Sequence, residues 1–152
     1  TMRSRGDVRR RTRLSAALGR SIPMKERKRI EALLKLLHRQ KEYAFPPAGQ
    51  PLEAPSKPGV YVIRDPKGRT MHVGRTVRGR EGLLQRLKNH LAGKSSFMRA
   101  CMPENRSKLR KGFTFQFLVV PDDRERVLLE YSATVWHCPV HLGVGAKRLK
   151  GT

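Results

Sequence analysis

The stretch Pro58-Gly59-Val60-Tyr61-Val62-Ile63-Arg64-Asp65-Pro66-Lys67-Gly68-Arg69-Thr70-Met71-His72-Val73-Gly74-Arg75 decides the fold of this chain. Gly59 to Arg64 and Thr70 to Arg75 are two short runs rich in β-branched and aromatic residues, which read as strands. Between them, Asp65-Pro66-Lys67-Gly68 has Asp first, Pro second and Gly fourth, the residue pattern of a type I turn. The two strands are therefore expected to form a hairpin. With Asp65 and Gly68 closing the turn, counting outward places Tyr61 directly opposite His72, on one face of the sheet. A bulge at the turn would slip that register by one residue.

Toward the C-terminus, Glu81 to Ala92 reads as a helix whose core stripe is Leu83, Leu84, Leu87 and Leu91. Arg86 and His90 lie one turn apart on the flank of that stripe, whereas Gln85 and Asn89 point outward. Ser95 to Lys111 reads as a basic connection, and Phe113 to Val120 as a third strand with Phe113, Phe115, Phe117 and Val119 on one side. A last helix opens at Asp122, which with Glu125 resembles a capping box. Its apolar residues Val127, Leu128, Leu129, Tyr131, Ala133, Val135 and Trp136 point nearly all round, so the helix is expected to be largely buried and Trp136 to be core. These elements predict an α+β fold with a small three-stranded antiparallel sheet flanked by helices.

Toward the N-terminus, Phe45 to Pro58 holds five prolines and reads as a linker. Before it, Ile30, Leu33, Leu34 and Leu37 recur at helical spacing between about Pro23 and Tyr43, with Lys and Arg opposite, the pattern of a basic amphipathic helix. Arg3 to Arg13 holds six arginines and almost nothing apolar, which reads as an arm able to clamp phosphates through residues such as Arg9, Arg10 and Arg11. The expected organisation is arm, helix and linker over 1–57 and a compact unit over 58–152.

Lys and Arg number 34 against 12 acidic residues, a formal net charge of +22, which points to a polyanionic partner. No apolar run approaches the roughly 20 residues that span a bilayer, and no signal-peptide pattern is present, so nucleic acid rather than a membrane is the expected partner and the cytoplasm the expected compartment. Two cysteines, Cys101 and Cys138, are too few for a disulfide framework and read as free thiols. Cys101, His137, Cys138 and His141 could in principle supply four zinc ligands, but their spacing matches no familiar zinc signature.

Glu130 is the most informative single position. It sets a carboxylate within an apolar helix, where an unpaired charge is costly to bury. Either an arginine across the core edge or a divalent metal compensates it. Pro58-Gly59-Val60-Tyr61, ten residues, His72-Val73-Gly74-Arg75-Thr76, the helix with Arg86-Leu87-Lys88-Asn89-His90, and the later helix with Glu130 together resemble the GIY-YIG nuclease pattern over about residues 58 to 143.

That resemblance implies a DNA endonuclease that hydrolyses phosphodiesters by in-line attack of an activated water, using one Mg²⁺ or Mn²⁺ per active site. By position, Glu130 matches the metal-binding glutamate, Arg86 the arginine that steadies the phosphate, and Tyr61 the tyrosine proposed to activate the water. His90 resembles a histidine that some restriction-type members place four residues after that arginine, and Gly74 fits the glycine that keeps the strand end uncrowded. Arg75 and Lys88 are expected to add phosphate contacts. His72 stands where tyrosine is usual, so the general base is either Tyr61 or His72. The asparagine of some relatives has no clear counterpart, although His141 lies in that region. A catalytically inactive nucleic-acid-binding module on the same fold is the alternative that His72 supports. The substrate would be double-stranded or branched DNA, and cutting both strands would take a homodimer or two successive nicks.

Overall fold

The computed structural model describes residues 24–77, 82–105 and 107–143. In chain order these form helix α1 (24–39), strands β1 (Tyr43–Ala44), β2 (Gly59–Arg64) and β3 (Thr70–Arg75), helices α2 (Gly82–Leu91) and α3 (Ser96–Cys101), a 3₁₀ turn (Lys108–Arg110), strand β4 (Thr114–Val119) and helix α4 (Asp123–His137). The sheet is four-stranded and antiparallel, in the order β1-β4-β2-β3, which corrects the expected three strands. The additional strand is only two residues long. Tyr43 and Ala44 pair with Phe115 and Thr114 just before Pro46 and Pro47 remove the donors that would extend the ladder. The Tyr43 ring stacks on Phe115 and Phe117, so side-chain packing holds this short edge in place.

Each face of the sheet carries its own core. Tyr61, Ile63, Met71 and Phe115 pack with Leu83 and Leu87 of α2 and Phe97 and Met98 of α3. Val60, Val62 and Val73 pack on the other face with Ile30, Leu33 and Leu37 of α1 and Leu129 and Ala133 of α4. Leu37, Leu83 and Leu87 are fully buried, each contributing about 1.5–3 kcal/mol of apolar transfer. The stripe on α1 thus docks on the sheet as its periodicity predicts. The stretch expected as a plain basic connection instead forms α3 and the 3₁₀ turn, because Phe97, Met98, Met102 and Leu109 have core to fill and Ser95 caps α3 by accepting from Met98 N.

Asp122 caps α4 by accepting from Glu125 N at 2.8 Å, as the sequence indicates. The helix is not buried all round, however: Tyr131, Val135 and Trp136 are 59%, 77% and 68% exposed, so Trp136 is a surface residue. Only the side of α4 with Leu129 and Ala133 meets the sheet, and no described element covers the side with Tyr131, Val135 and Trp136. Among the described residues no helix is long and apolar enough to cross a membrane.

The hairpin register also differs from the simple count. Asp65 and Arg69, rather than Asp65 and Gly68, close the ladder, with Gly68 at φ +84°. That is a type I turn followed by a one-residue bulge. A second slip falls between Ile63 and Arg64 and leaves Met71 without a Cα partner. Tyr61 therefore faces Gly74, and His72 faces Ile63. Two single slips restore the original side, since strand side chains alternate with period two. His72 still points to the Tyr61 face, on the diagonal rather than directly across.

Candidate functional site

Tyr61 is at the centre of the site. It is fully buried in the middle of β2, and its ring lies over Gly74 of β3, where a Cβ would come within 2.5 Å of Tyr61 Cζ and nearer still to the hydroxyl. Only glycine leaves room there for the tyrosine. Its hydroxyl oxygen is 2.6 Å from His90 Nε2 and 3.5 Å from His72 Nε2. Nδ1 of His90 is 2.6 Å from Ser95 Oγ, so α2, β2 and the cap of α3 are joined through one imidazole. His72 stacks on Phe97 at 5.0 Å and 7° between planes. His141 approaches on the open side of β3 through a parallel bridge to His72, with its ring 5.2 Å away.

The charged part of the site lies at the end of β3. Arg75 donates from Nη1 to Glu130 Oε2 at 2.8 Å, with both side chains about three-quarters buried (26% and 20% exposed). Arg75 and Arg86 line one cleft of about 270 Å³ together with Thr76, Val77, Gly82, Gln85 and Asn89. The Arg86 guanidinium stands beside the Tyr61 hydroxyl, and its Nε is buried. An anion entering the cleft would meet both the Arg75 and the Arg86 guanidinium groups. Larger cavities, such as one of about 690 Å³ beside the hairpin tip, are lined by neither Arg75 nor Arg86. Chemistry, not volume, singles out the small cleft.

The structure thus brings Tyr61, His72, Arg86 and His90 together, with Arg75 and Glu130 at the edge of the group. Lys88 is exposed on α2 and does not line the cleft. Arg9, Arg10 and Arg11 lie outside the described residues. Sequence reasoning missed Ser95 and Phe97. An N-cap serine ahead of an apolar pair was the available signal for the helix they belong to, but nothing local ties either residue to His90 or His72.

Burial sets the protonation states here. It pushes the Tyr61 hydroxyl up to about 12; the neighbouring Arg86 pulls it down by less, and Glu130 adds to the rise. Burial holds His90 down to about 3, with the Arg86 charge and His141 acting in the same direction. His72 is held well below its ordinary range, again by burial first, then by His90, His141 and Arg86. At neutral pH the centre is a phenol and two neutral imidazoles. With Arg86 on the oxygen side, the phenol donates to His90 Nε2 and His90 Nδ1–H donates to Ser95 Oγ. The fixed charges are then two cations, Arg75 and Arg86, against one anion, Glu130. That surplus favours a singly charged anion such as a phosphodiester.

Among the described residues no three His, Cys, Asp or Glu side chains converge as a ready-made metal cage. Glu130 is the carboxylate that could hold a hard cation. Mg²⁺ accepts one or two carboxylates and completes its shell with water and phosphate oxygens, so a single glutamate beside the cleft-lining Arg75 fits it, provided Arg75 releases the carboxylate.

No protein-family model matches the chain, and no curated protein does. Solved structures of three point mutants of the GIY-YIG N-terminal endonuclease domain of UvrC from Thermotoga maritima, each bound to its catalytic divalent cation, are similar to it. They share 25% identity, at a TM-score of 0.43, and the likeness covers 58% of this chain and 84–85% of theirs.

Proposed function

We propose that this chain is a nucleic-acid-binding protein that grips a backbone phosphodiester between Arg75 and Arg86, in the cleft beside the Tyr61 centre. The observation that carries this is that Arg75 and Arg86 line one cleft, in a chain of net charge +22. A phosphate oxygen completes the Arg86 fork, and a second oxygen draws Arg75 from Glu130. Most of the affinity is electrostatic, so it falls steeply with salt. Arg86→Ala and Arg75→Ala should each weaken duplex binding and lower the slope of log K against log salt by about 0.9. Unchanged slopes in both variants would refute the assignment of the cleft.

A second reading, hydrolysis of the bound phosphodiester, has a specific observation in its favour: the Tyr61 hydroxyl feels the charges of both Arg86 and Glu130, so phenol, guanidinium and carboxylate belong to one electrostatic neighbourhood. A divalent metal on Glu130 would supply Lewis-acid stabilisation of the phosphoryl oxygens. The chain's own residues would position the phosphate through Arg86 and hold a proton at the Tyr61 oxygen, with His90 as its acceptor. Plasmid nicking with and without Mg²⁺ or Mn²⁺ separates the two readings. Metal-dependent nicking lost in Glu130→Ala, with salt-sensitive binding retained, supports hydrolysis. Binding without nicking leaves the module reading.

A further inference from the structure

His38, in the last turn of α1, and His137, the last residue of α4, face each other at the meeting point of the two helices, away from the Tyr61 centre. Their Nε2 atoms are 2.8 Å apart and their rings meet edge-on at 89°. Two imidazole nitrogens at that separation either share one proton or turn both lone pairs to a cation. Neighbouring nitrogen ligands at about 2.0–2.1 Å from a first-row metal stand about 2.9 Å apart at a right angle and about 3.3 Å apart at a tetrahedral one. The pair is thus within about half an ångström of a chelating distance, and both rings are only part-buried.

Other features of the surroundings suit ligation. Nδ1 of His137 is 3.2 Å from Thr70 Oγ1; a proton on that nitrogen, donated to the hydroxyl, leaves Nε2 bare. This outer hydrogen bond is the one metal-binding histidines characteristically make. The backbone beneath His38 is fixed, because Gln116 Nε2 donates to the carbonyls of His38 and Gln40 at 3.2 and 2.7 Å. Burial and the Arg64 charge hold His38 below its ordinary range, and burial, His38 and Arg64 hold His137 down to about 4, so both are neutral when a metal would bind. The positive charge of Arg64 is itself offset by Glu42 at 2.8 Å.

We infer that His38 and His137 form a site for a borderline divalent transition-metal cation of the Zn²⁺ class, water filling the remaining positions, which ties α1 to the end of α4. Mg²⁺ and Mn²⁺ prefer oxygen donors, so this site is separate in chemistry as well as in place from Glu130, and it does not depend on the nucleic-acid reading.

Trp136 supplies the assay. It is the only tryptophan in the chain, and its ring is 5.9 Å from that of His38. Titrating the full, tag-free chain with Cu²⁺ near neutral pH should quench its fluorescence saturably at one equivalent. Excess Zn²⁺ should reverse the quenching and Mg²⁺ should not. His38→Gln and His137→Gln should each weaken binding by at least about 10-fold, and Thr70→Val, which removes only the outer hydrogen bond, by about 10-fold. Zn²⁺ should also raise the Tm of the wild type and leave that of the two histidine variants unchanged, a readout that holds even if a variant is less stable. Cys138→Ser tests the neighbouring thiol and should bind as wild type. An unchanged midpoint in both histidine variants, loss of quenching in Cys138→Ser alone, or no saturable quenching up to about 1 mM Cu²⁺ would overturn the site.

Discussion

Replacing Gly74 with alanine tests the packing that positions the Tyr61 hydroxyl. An added Cβ would lie 2.5 Å from Tyr61 Cζ, whereas real Cβ contacts essentially never fall under 3.0 Å, so the ring must retreat by at least about 0.5 Å. Tyr61 is fully buried, so the shift must be taken up by the side chains packed around it. Overpacking of this kind costs about 1–3 kcal/mol. The retreat also disturbs the 2.6 Å contact between the hydroxyl and His90 Nε2. Tyr61→Phe alone leaves His90 Nε2 buried without its partner, a cost of about 1–3 kcal/mol. In the double variant that bond is already lost, so the two costs should fall short of their sum by about 1 kcal/mol. Urea unfolding followed by far-UV circular dichroism measures all three. Gly68→Ala is the control: it also strains a positive φ, at about 1 kcal/mol, but has nothing within 4 Å and should be additive with Tyr61→Phe. A Gly74→Ala variant within about 0.5 kcal/mol of wild type, or strict additivity with Tyr61→Phe, would refute the account.

Acid should destabilise the fold earlier than carboxylate titration alone. His90 and His72 have folded-state pKa values depressed below 6.5, so their contribution is fully present above about pH 6.5 and is lost as pH falls toward the folded values, at about 1.4 kcal/mol per pH unit for each. Tm should therefore drop between about pH 6.5 and 4.5, and His90→Asn should remove one proton's share of that slope; a flat Tm over the range would contradict it. Arg126, 6% exposed, donates to the carbonyls of Thr76, Val120 and Pro121 and pairs with Asp123, so Arg126→Ala should cost at least about 3 kcal/mol in the same urea assay, and a loss under about 1 kcal/mol would show that water replaces it.

Where the physics is local, the sequence was readable. Alternation located β2, β3 and β4, leucine spacing located α1 and α2, and Asp122 with Glu125 marked the start of α4. Of the residues that the order along the chain groups as a site, Tyr61, His72, Arg86 and His90 lie together, whereas Lys88 stands apart on the exposed side of α2. What stayed hidden depends on long-range contacts. Tyr43 and Ala44 make a strand by pairing with Phe115 and Thr114, distant in sequence, with the Tyr43 ring stacked on Phe115 and Phe117. The partner of Glu130 was narrowed to an arginine or a metal, and only the meeting of β3 with α4 shows that Arg75 takes the place of the first. Trp136 looked like core because composition cannot say which side of a helix has a layer above it. The pairing of Tyr61 with Gly74 rather than His72 follows from two bulges, neither of which leaves a mark strong enough to count from.

The double slip in the hairpin sets a rule for changes in its length. Between Tyr61 and His72 the chain carries an even excess over a plain ladder, and only an even change preserves the side on which His72 emerges. Adding or removing one residue at the Asp65–Gly68 tip should turn the imidazole from Phe97 toward the α4 side and leave the phenol with a single histidine neighbour. A two-residue change, though larger, should be the milder one. Natural or engineered variants of this loop are accordingly expected to differ in steps of two.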